Sequence, residues 1–268
     1  MSTTSPAHGS PPDELVVSID DGVATLRLNR PHKRNAVTHQ MWLGLAEHCR
    51  RLATDPEVRV LVVRGEGEHF CAGADIAGLA DLDPDEYAEA NAAADEALAA
   101  FPKPTIAAIR GACVGGGAEI AVACDLRIAD DTARFGITPA RLGLVYPAGA
   151  VERVVRLIGP GAAKHLLFSA ELIEAERALR IGLVGEVHGA GQLDARIDEL
   201  TSRLAHERSL LTQMASKEMV DAAAGGGRID PATAARWHAE VARSGESAEG
   251  IAAFRERRPP RFAWTPST

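Results

Sequence analysis

Near the start of the chain two alternating runs, ELVVSID and VATLRLN, flank Asp20-Asp21-Gly22. Asp-Gly between alternating apolar positions predicts a tight antiparallel hairpin. The next segment, THQMWLGLAEHCRRLATD, sets Trp42, Leu45, Cys49 and Leu52 at helical spacing behind Thr38, which is suited to an N-cap. VRVLVVRG and TIAAIRG are nearly continuous apolar runs bounded by turn residues, the pattern of strands buried on both faces. Between them, residues 84–100 are rich in Ala, Glu and Asp and predict a helix. Gly115-Gly116-Gly117 opens a second helical run, AEIAVACD, and LRIAD and ARFG predict short strands. From Ala148 onward AVERVVRLIG, AAKHLLFSA, AERALRIG and LDARIDELTSRLAHE predict helices, interrupted by one strand in IGLVGEVH. Gly225-Gly226-Gly227 reads as a break between two later helices.

Strands alternate with helices through the first two-thirds, and helices dominate the rest. This order predicts an α/β fold with a helical C-terminal segment. The boundaries fall at a disordered Ser/Thr/Pro/Gly-rich tail (residues 1–12), a core (13–204) and the C-terminal segment (205–268).

Composition narrows the function classes. The chain has 268 residues, 46% of them hydrophobic, enough for a sizeable core. A net charge of −8 with no long basic run argues against nucleic-acid binding. No apolar stretch is long enough to span a membrane, and the N-terminus lacks the pattern of a secretory signal, so a cytoplasmic protein is expected. Cys49, Cys71, Cys113 and Cys124 form no CxxC pair and have no clustered histidines, so reduced buried thiols and no metal site are expected.

Two glycine-containing segments carry candidate chemistry: His69-Phe70-Cys71-Ala72-Gly73-Ala74-Asp75-Ile76, and Gly111 to Glu119, GACVGGGAE. Each follows a buried strand and puts small residues where a helix begins. The first turn of a helix leaves N–H groups unpaired, and small residues let a ligand approach the backbone. Two such donors converging on one carbonyl oxygen would make an oxyanion hole; tight packing or a phosphate site would explain such turns equally well. GxxxxGK[ST], GxGxxG and GxSxG are absent.

HFCAGADI and GACVGGGAEIAVACDLRIAD resemble the two signature segments of the crotonase (enoyl-CoA hydratase/isomerase) superfamily. LNRPHKRNAV (residues 28–37), ARFGITPARLGL (133–144), LLFSAELIEAERALRIGLVGEVH (166–188) and GIAAFRERRPPRF (250–262) resemble further blocks of that family in the same order. The resemblance implies a crotonase-like spiral of ββα units, with the C-terminal helices serving trimerisation and a homotrimer or hexamer as the assembly. It implies an acyl-CoA thioester as substrate, with coenzyme A present only as part of that substrate and no tightly bound cofactor. By motif position it puts the two oxyanion donors on Ala74 and Gly116 and the proton-handling carboxylate on Glu119. It puts substrate and coenzyme A contacts on Lys33, Arg34, Ala36, Ala72, Asp75, Ile76, Ala77 and Gly115. Asp75 has a structural alternative, as a carboxylate in the first turn of a helix.

The chain departs from the hydratase pattern at one position. Twenty residues after Glu119, where the hydratases carry their second glutamate, stands Pro139. Hydration divides its proton work between a base and an acid, so the exact reaction is left open. The arrangement Thr138-Pro139, Leu142-Gly143 and Tyr146 resembles superfamily members that decarboxylate malonyl-type thioesters, which makes Tyr146 a possible catalytic residue; those enzymes carry a histidine where this chain has Ala74. Isomerisation through Glu119, with Asp81, Asp83 or Glu86 reaching inward, and a non-catalytic acyl-CoA-binding scaffold are the remaining alternatives.

Overall fold

The structure is a computed structural model that describes residues 13–79 and 82–266; the tail at 1–12 and Asp81 lie outside the described residues. β1 (Leu15–Asp20) and β2 (Val23–Leu28) pair antiparallel, with Asp20 opposite Val23. Asp21 and Gly22 take φ of 45° and 82°, as a two-residue turn with the twist of its strands requires. The Thr38 side chain accepts a hydrogen bond from the Met41 amide and starts α1 (His39–Thr54), which buries Trp42, Leu45, Cys49 and Leu52.

The order continues β3 (Val60–Gly65), α2 (Ile76–Leu79), α3 (Pro84–Ala99), β4 (Thr105–Ile109), β5 (Ala112–Val114), α4 (Gly116–Ala123), β6 (Leu126–Asp130), β7 (Arg134–Gly136) and α5 (Ala148–Ser169). It ends β8 (Ile173–Glu174), α6 (Ala175–Arg180), β9 (Glu186–His188), α7 (Leu193–His206), α8 (Leu210–Ala224), α9 (Pro231–Ser244) and α10 (Glu246–Glu256). The runs AVERVVRLIG and AAKHLLFSA are helical on either side of Gly159, whose φ of 73° and ψ of 164° interrupt α5 ahead of Pro160. One expectation is corrected here. The strand expected across IGLVGEVH is confined to its last three residues, because Gly182 turns the chain at φ 82° just after α6.

Six strands form the main sheet in the order β1-β2-β3-β4-β6-β9, parallel except for the hairpin, and β5-β7-β8 form a smaller second sheet. Alternation along β3 separates two cores. Leu61 and Val63 join Trp42, Phe70, Leu98 and Phe135 in the large core between the sheet and α1, α3 and α4. Val60 and Val62 face the other way, onto Leu193 and Ile197 of α7. The C-terminal helices have a small core of their own, Leu210, Leu211, Met214, Ala215 and Trp237. Lys217 of α8 ties this segment to the body through Asp125, 2.8 Å away, and Asp125 also accepts from the Thr105 amide and hydroxyl. No helix among the described residues is long and apolar enough to cross a membrane.

Candidate active site

Both glycine-containing segments leave the C-terminal ends of parallel strands, and hydrogen bonds from the neighbouring stretch at residues 34–37 and between the two segments clamp them together. Asn35 is the main clamp of the first. It is fully buried, and its backbone sits at φ 58°, a left-handed conformation that asparagine tolerates. Its Nδ2 donates to the Glu66 and His69 carbonyls at 2.9 and 2.6 Å, and its Oδ1 accepts from the Arg30 amide at 2.9 Å. Replacing Asn35 with Ala strands these backbone groups and strains the new residue. We expect a loss of about 3 kcal/mol or more of stability, measurable as a lower urea midpoint at unchanged m.

Further along, Ala72 donates to Arg34 O, Val37 to Gly73 O and Asp75 to Val37 O, while Cys71 donates to Ala112 O and Val114 to Cys71 O. The two segments are thereby laid side by side, and the Ala112 amide also donates to His69 Nδ1 at 3.1 Å. Gly73, at φ 114°, would bring a Cβ to 3.2 Å from Val114 O, and a Cβ on Gly117 would lie 2.3 Å from Cys71 O. A Cβ placed on Gly116 would sit 3.6 Å from Ala74 N. The Ala74 amide is thus a close neighbour of Gly116, the first residue of α4. Among the described residues neither the Ala74 nor the Gly116 amide has a protein acceptor. Two unpaired donors side by side, one at a helix N-terminus, suit an oxygen that gains negative charge.

Glu119 stands one turn along α4 from Gly116. It is 3% exposed, and its Oε1 has no hydrogen-bond partner. Burial pushes its carboxyl up to about 8, aided by the negative charge of Asp95 and opposed by a hydrogen bond from Asn91 and the charge of Arg153. Asn91 and Asp95 lie on α3 and Arg153 on α5; Arg153 forms a salt bridge to Asp95. The sequence reading missed all three. The signal was a polar pair one turn apart, at 91 and 95, among the buried Ala90, Ala94 and Leu98.

Tyr146 is buried, and its hydroxyl donates to Gly115 O at 3.0 Å. Its proton is therefore used to hold the loop that presents Gly116. Pro139 opens a single 3-10 turn, Pro139–Arg141, and the preceding Thr138 borders Gly115. No carboxylate occurs from 138 to 146. Asp83 caps α3, accepting from the Asp85 amide, and Glu86 is exposed in that helix's first turn.

The other expected contacts form a rim beside the two amides. Lys33 and Arg34 are exposed, and Ala36 and Ala72 are half-buried. Ile76 and Ala77 open α2 with exposed side chains. Asp75 is bound by Arg30 at 2.8 Å, which holds its carboxyl below the usual range, and Arg30 also reaches Glu14 at 2.9 Å. All four cysteines are buried and free, and among the described residues no group of His, Cys, Asp or Glu is placed to hold a metal.

The enoyl-CoA hydratase/isomerase family model matches residues 18–265. The 2,3-dehydroadipyl-CoA hydratase of Escherichia coli is 32% identical, over 93% of this chain and 98% of that one. The crotonyl-CoA hydratase of Syntrophomonas wolfei is 34% identical, over 75% of this chain and 79% of its own. A crystal structure of an enoyl-CoA hydratase/isomerase family member superimposes with a TM-score of 0.88 at 38% identity, covering 94% of this chain and 99% of the other. The chain belongs to the enoyl-CoA hydratase/isomerase family and has the crotonase fold.

Proposed function

We propose that this protein binds an acyl-CoA thioester and stabilises its enolate, with the thioester oxygen on the Ala74 and Gly116 amides and Glu119 moving the proton at the α-carbon. The observation that carries this reading is the pairing of two amides with a buried carboxyl oxygen one helical turn away, all three without a hydrogen-bond partner among the described residues. The exposed rim at Lys33, Arg34 and Ala36 would take the nucleotide end of coenzyme A, with the lysine and arginine as phosphate donors. Ala72, Asp75, Ile76, Ala77 and Gly115 would line the thioester's path. Asp75 acts there through its salt bridge to Arg30, which fixes the turn after Ala74. In this reading the C-terminal helices serve assembly into a trimer or a hexamer.

Hydration or isomerisation of an enoyl-CoA is the reaction type the family supports. A second reading, decarboxylation of a malonyl-type thioester, is favoured by one feature of the site. Glu119 keeps its proton up to about pH 8 and has no second carboxylate at Pro139, so at neutral pH it stands as an acid without a partner base. In decarboxylation the carbon–carbon bond to the carboxylate breaks, carbon dioxide leaves, and the electron pair passes into the thioester as an enolate. Glu119 then supplies the α-proton. No base is needed.

A panel of CoA thioesters followed by mass spectrometry tests both. Gain of water by crotonyl-CoA supports hydration, and carbon dioxide release from methylmalonyl-CoA supports decarboxylation. Tight binding without turnover of any thioester would reduce the protein to an acyl-CoA-binding scaffold.

A further inference from the structure

Five buried side-chain polar atoms among the described residues have no hydrogen-bond partner, and three of them belong to one cluster: Glu119 Oε1, Asp95 Oδ1 and Arg153 Nε. The cluster lies where α3, α4 and α5 pack on one another. α3 turns Asn91 and Asp95 toward Glu119, and α5 brings Arg153 against Asp95 Oδ2. The chain leaves room for this pair. A Cβ on Gly149 would lie 3.1 Å from Asp95 Oδ2 and 3.2 Å from Arg153 Nη2.

An ion pair in this position is poor value as a structural element. Removing both charges from water costs more than a well-packed apolar pair would, unless every polar atom is satisfied. Here one oxygen of the aspartate and one nitrogen of the arginine are not. Their placement makes sense through Glu119. The groups that face this carboxyl are Tyr87, Asn91 and Asp95 from α3, Arg153 from α5, Tyr146 from the loop before α5 and Cys71 from the first glycine segment. Burial keeps both tyrosines and Cys71 neutral. Among the described residues Asp95 and Arg153 are therefore the charges that act on Glu119 at close range.

We propose that Asp95 and Arg153 are a positioning pair for Glu119, taking up the role of second charged partner that Pro139 leaves vacant, and that the balance of their opposite charges decides when Glu119 holds its proton. Asp95 alone would keep Glu119 protonated, and Arg153 alone would keep it ionised. Together they let one carboxyl both release and regain a proton during turnover. This rests on the reading of Glu119 as the proton-handling group.

The test follows the protonated-carboxyl band of Glu119 in pH-difference infrared spectra of the full-length protein, identified by its loss in Glu119→Gln. Asp95→Asn, close in shape, leaves Arg153 uncompensated and is expected to lower the midpoint by about one unit or more. Arg153→Gln is expected to raise it, and Arg153→Lys, which keeps the charge, to hold it near the wild-type value. The pH limb of kcat on any substrate the panel finds moves in the same sense, with KM little changed. Midpoints that stay put in folded Asp95→Asn, or that move the same way in Asp95→Asn and Arg153→Gln, overturn the proposal. If Arg153→Gln does not fold, Asp95→Asn and Arg153→Lys still decide it. Because the spectrum needs no turnover, it separates the two readings. Shifted midpoints with full activity in Glu119→Gln would uphold the pair's control of Glu119 and remove that residue from the chemistry.

Discussion

Glu119→Gln is expected to lower kcat about 10²- to 10⁴-fold on whichever thioester is turned over, the range for loss of a general acid or base. Binding of the thioester is expected to stay close to wild type, because the amides of Ala74 and Gly116 are untouched. The same change should stabilise the fold at alkaline pH. Glu119 is a carboxyl whose folded value, about 8, lies above its ordinary value of 4.5. Below pH 4.5 folded and unfolded chains both hold the proton, and the group contributes no difference. Between 4.5 and 8 the unfolded chain releases it while the folded chain keeps it, so stability falls as pH rises and levels off above 8. The loss is at most about 5 kcal/mol at one pH unit per 1.36 kcal/mol. Glutamine removes this dependence. Thermal melts at pH 9 should therefore show Glu119→Gln melting higher than wild type, with the two converging near pH 4.5. A variant that is both fully active and no more stable at pH 9 would mean that Glu119 neither moves a proton nor bears the burial cost assigned to it.

Gly117→Ala is expected to have the second large effect. Its Cβ would fall 2.3 Å from Cys71 O and 2.8 Å from Cys71 Cβ. Backbone stands in the way, so the two glycine segments must move apart. Cys71 O also accepts from the Val114 amide, and that link would be lost together with the spacing of the Ala74 and Gly116 donors. Losing one donor of this kind costs roughly 10²- to 10³-fold in kcat, and forcing a methyl into a close-packed contact costs about 1–3 kcal/mol of stability. Gly161→Ala serves as the control. It lies on α5, and a Cβ there meets nothing within 4 Å. It should leave kcat unchanged, since alanine is the better helix former. Equal activity in Gly117→Ala and Gly161→Ala would show that the packing of the two segments does not set the donors.

Much of this architecture was legible in the chain. The hairpin was readable because Asp21-Gly22 can hold the positive φ the turn needs, and α1 because Thr38 and its apolar stripe mark both its start and its buried face. The two glycine segments were visible as strand-to-helix turns, but physics alone did not separate an oxygen site from tight packing. Only the resemblance assigned Ala74 and Gly116. The shortest strand escaped: β8 has two residues, too few for any alternation to register.

The charged partners of Glu119 escaped for a different reason. In α3 alanine occupies buried and exposed positions alike, so the helix has no apolar face to contrast with a polar one. Asp95 then reads as one more solvated carboxylate. Its burial, to 8% exposure, is imposed by α4 and α5 packing over it. Tyr146 was left open between a catalytic and a packing role; its hydroxyl is engaged with Gly115 O, where it holds the donor loop in place.

The function proposed for this site requires one thioester oxygen to be held by two main-chain donors from separate turns. A crystal structure with a non-turnover acyl-CoA thioester, bound to Glu119→Gln to prevent reaction, tests it most directly. The oxygen is expected about 2.7–3.1 Å from both the Ala74 and the Gly116 nitrogen, with the α-carbon facing residue 119. A bound thioester whose oxygen lies out of hydrogen-bond reach of both nitrogens would contradict it.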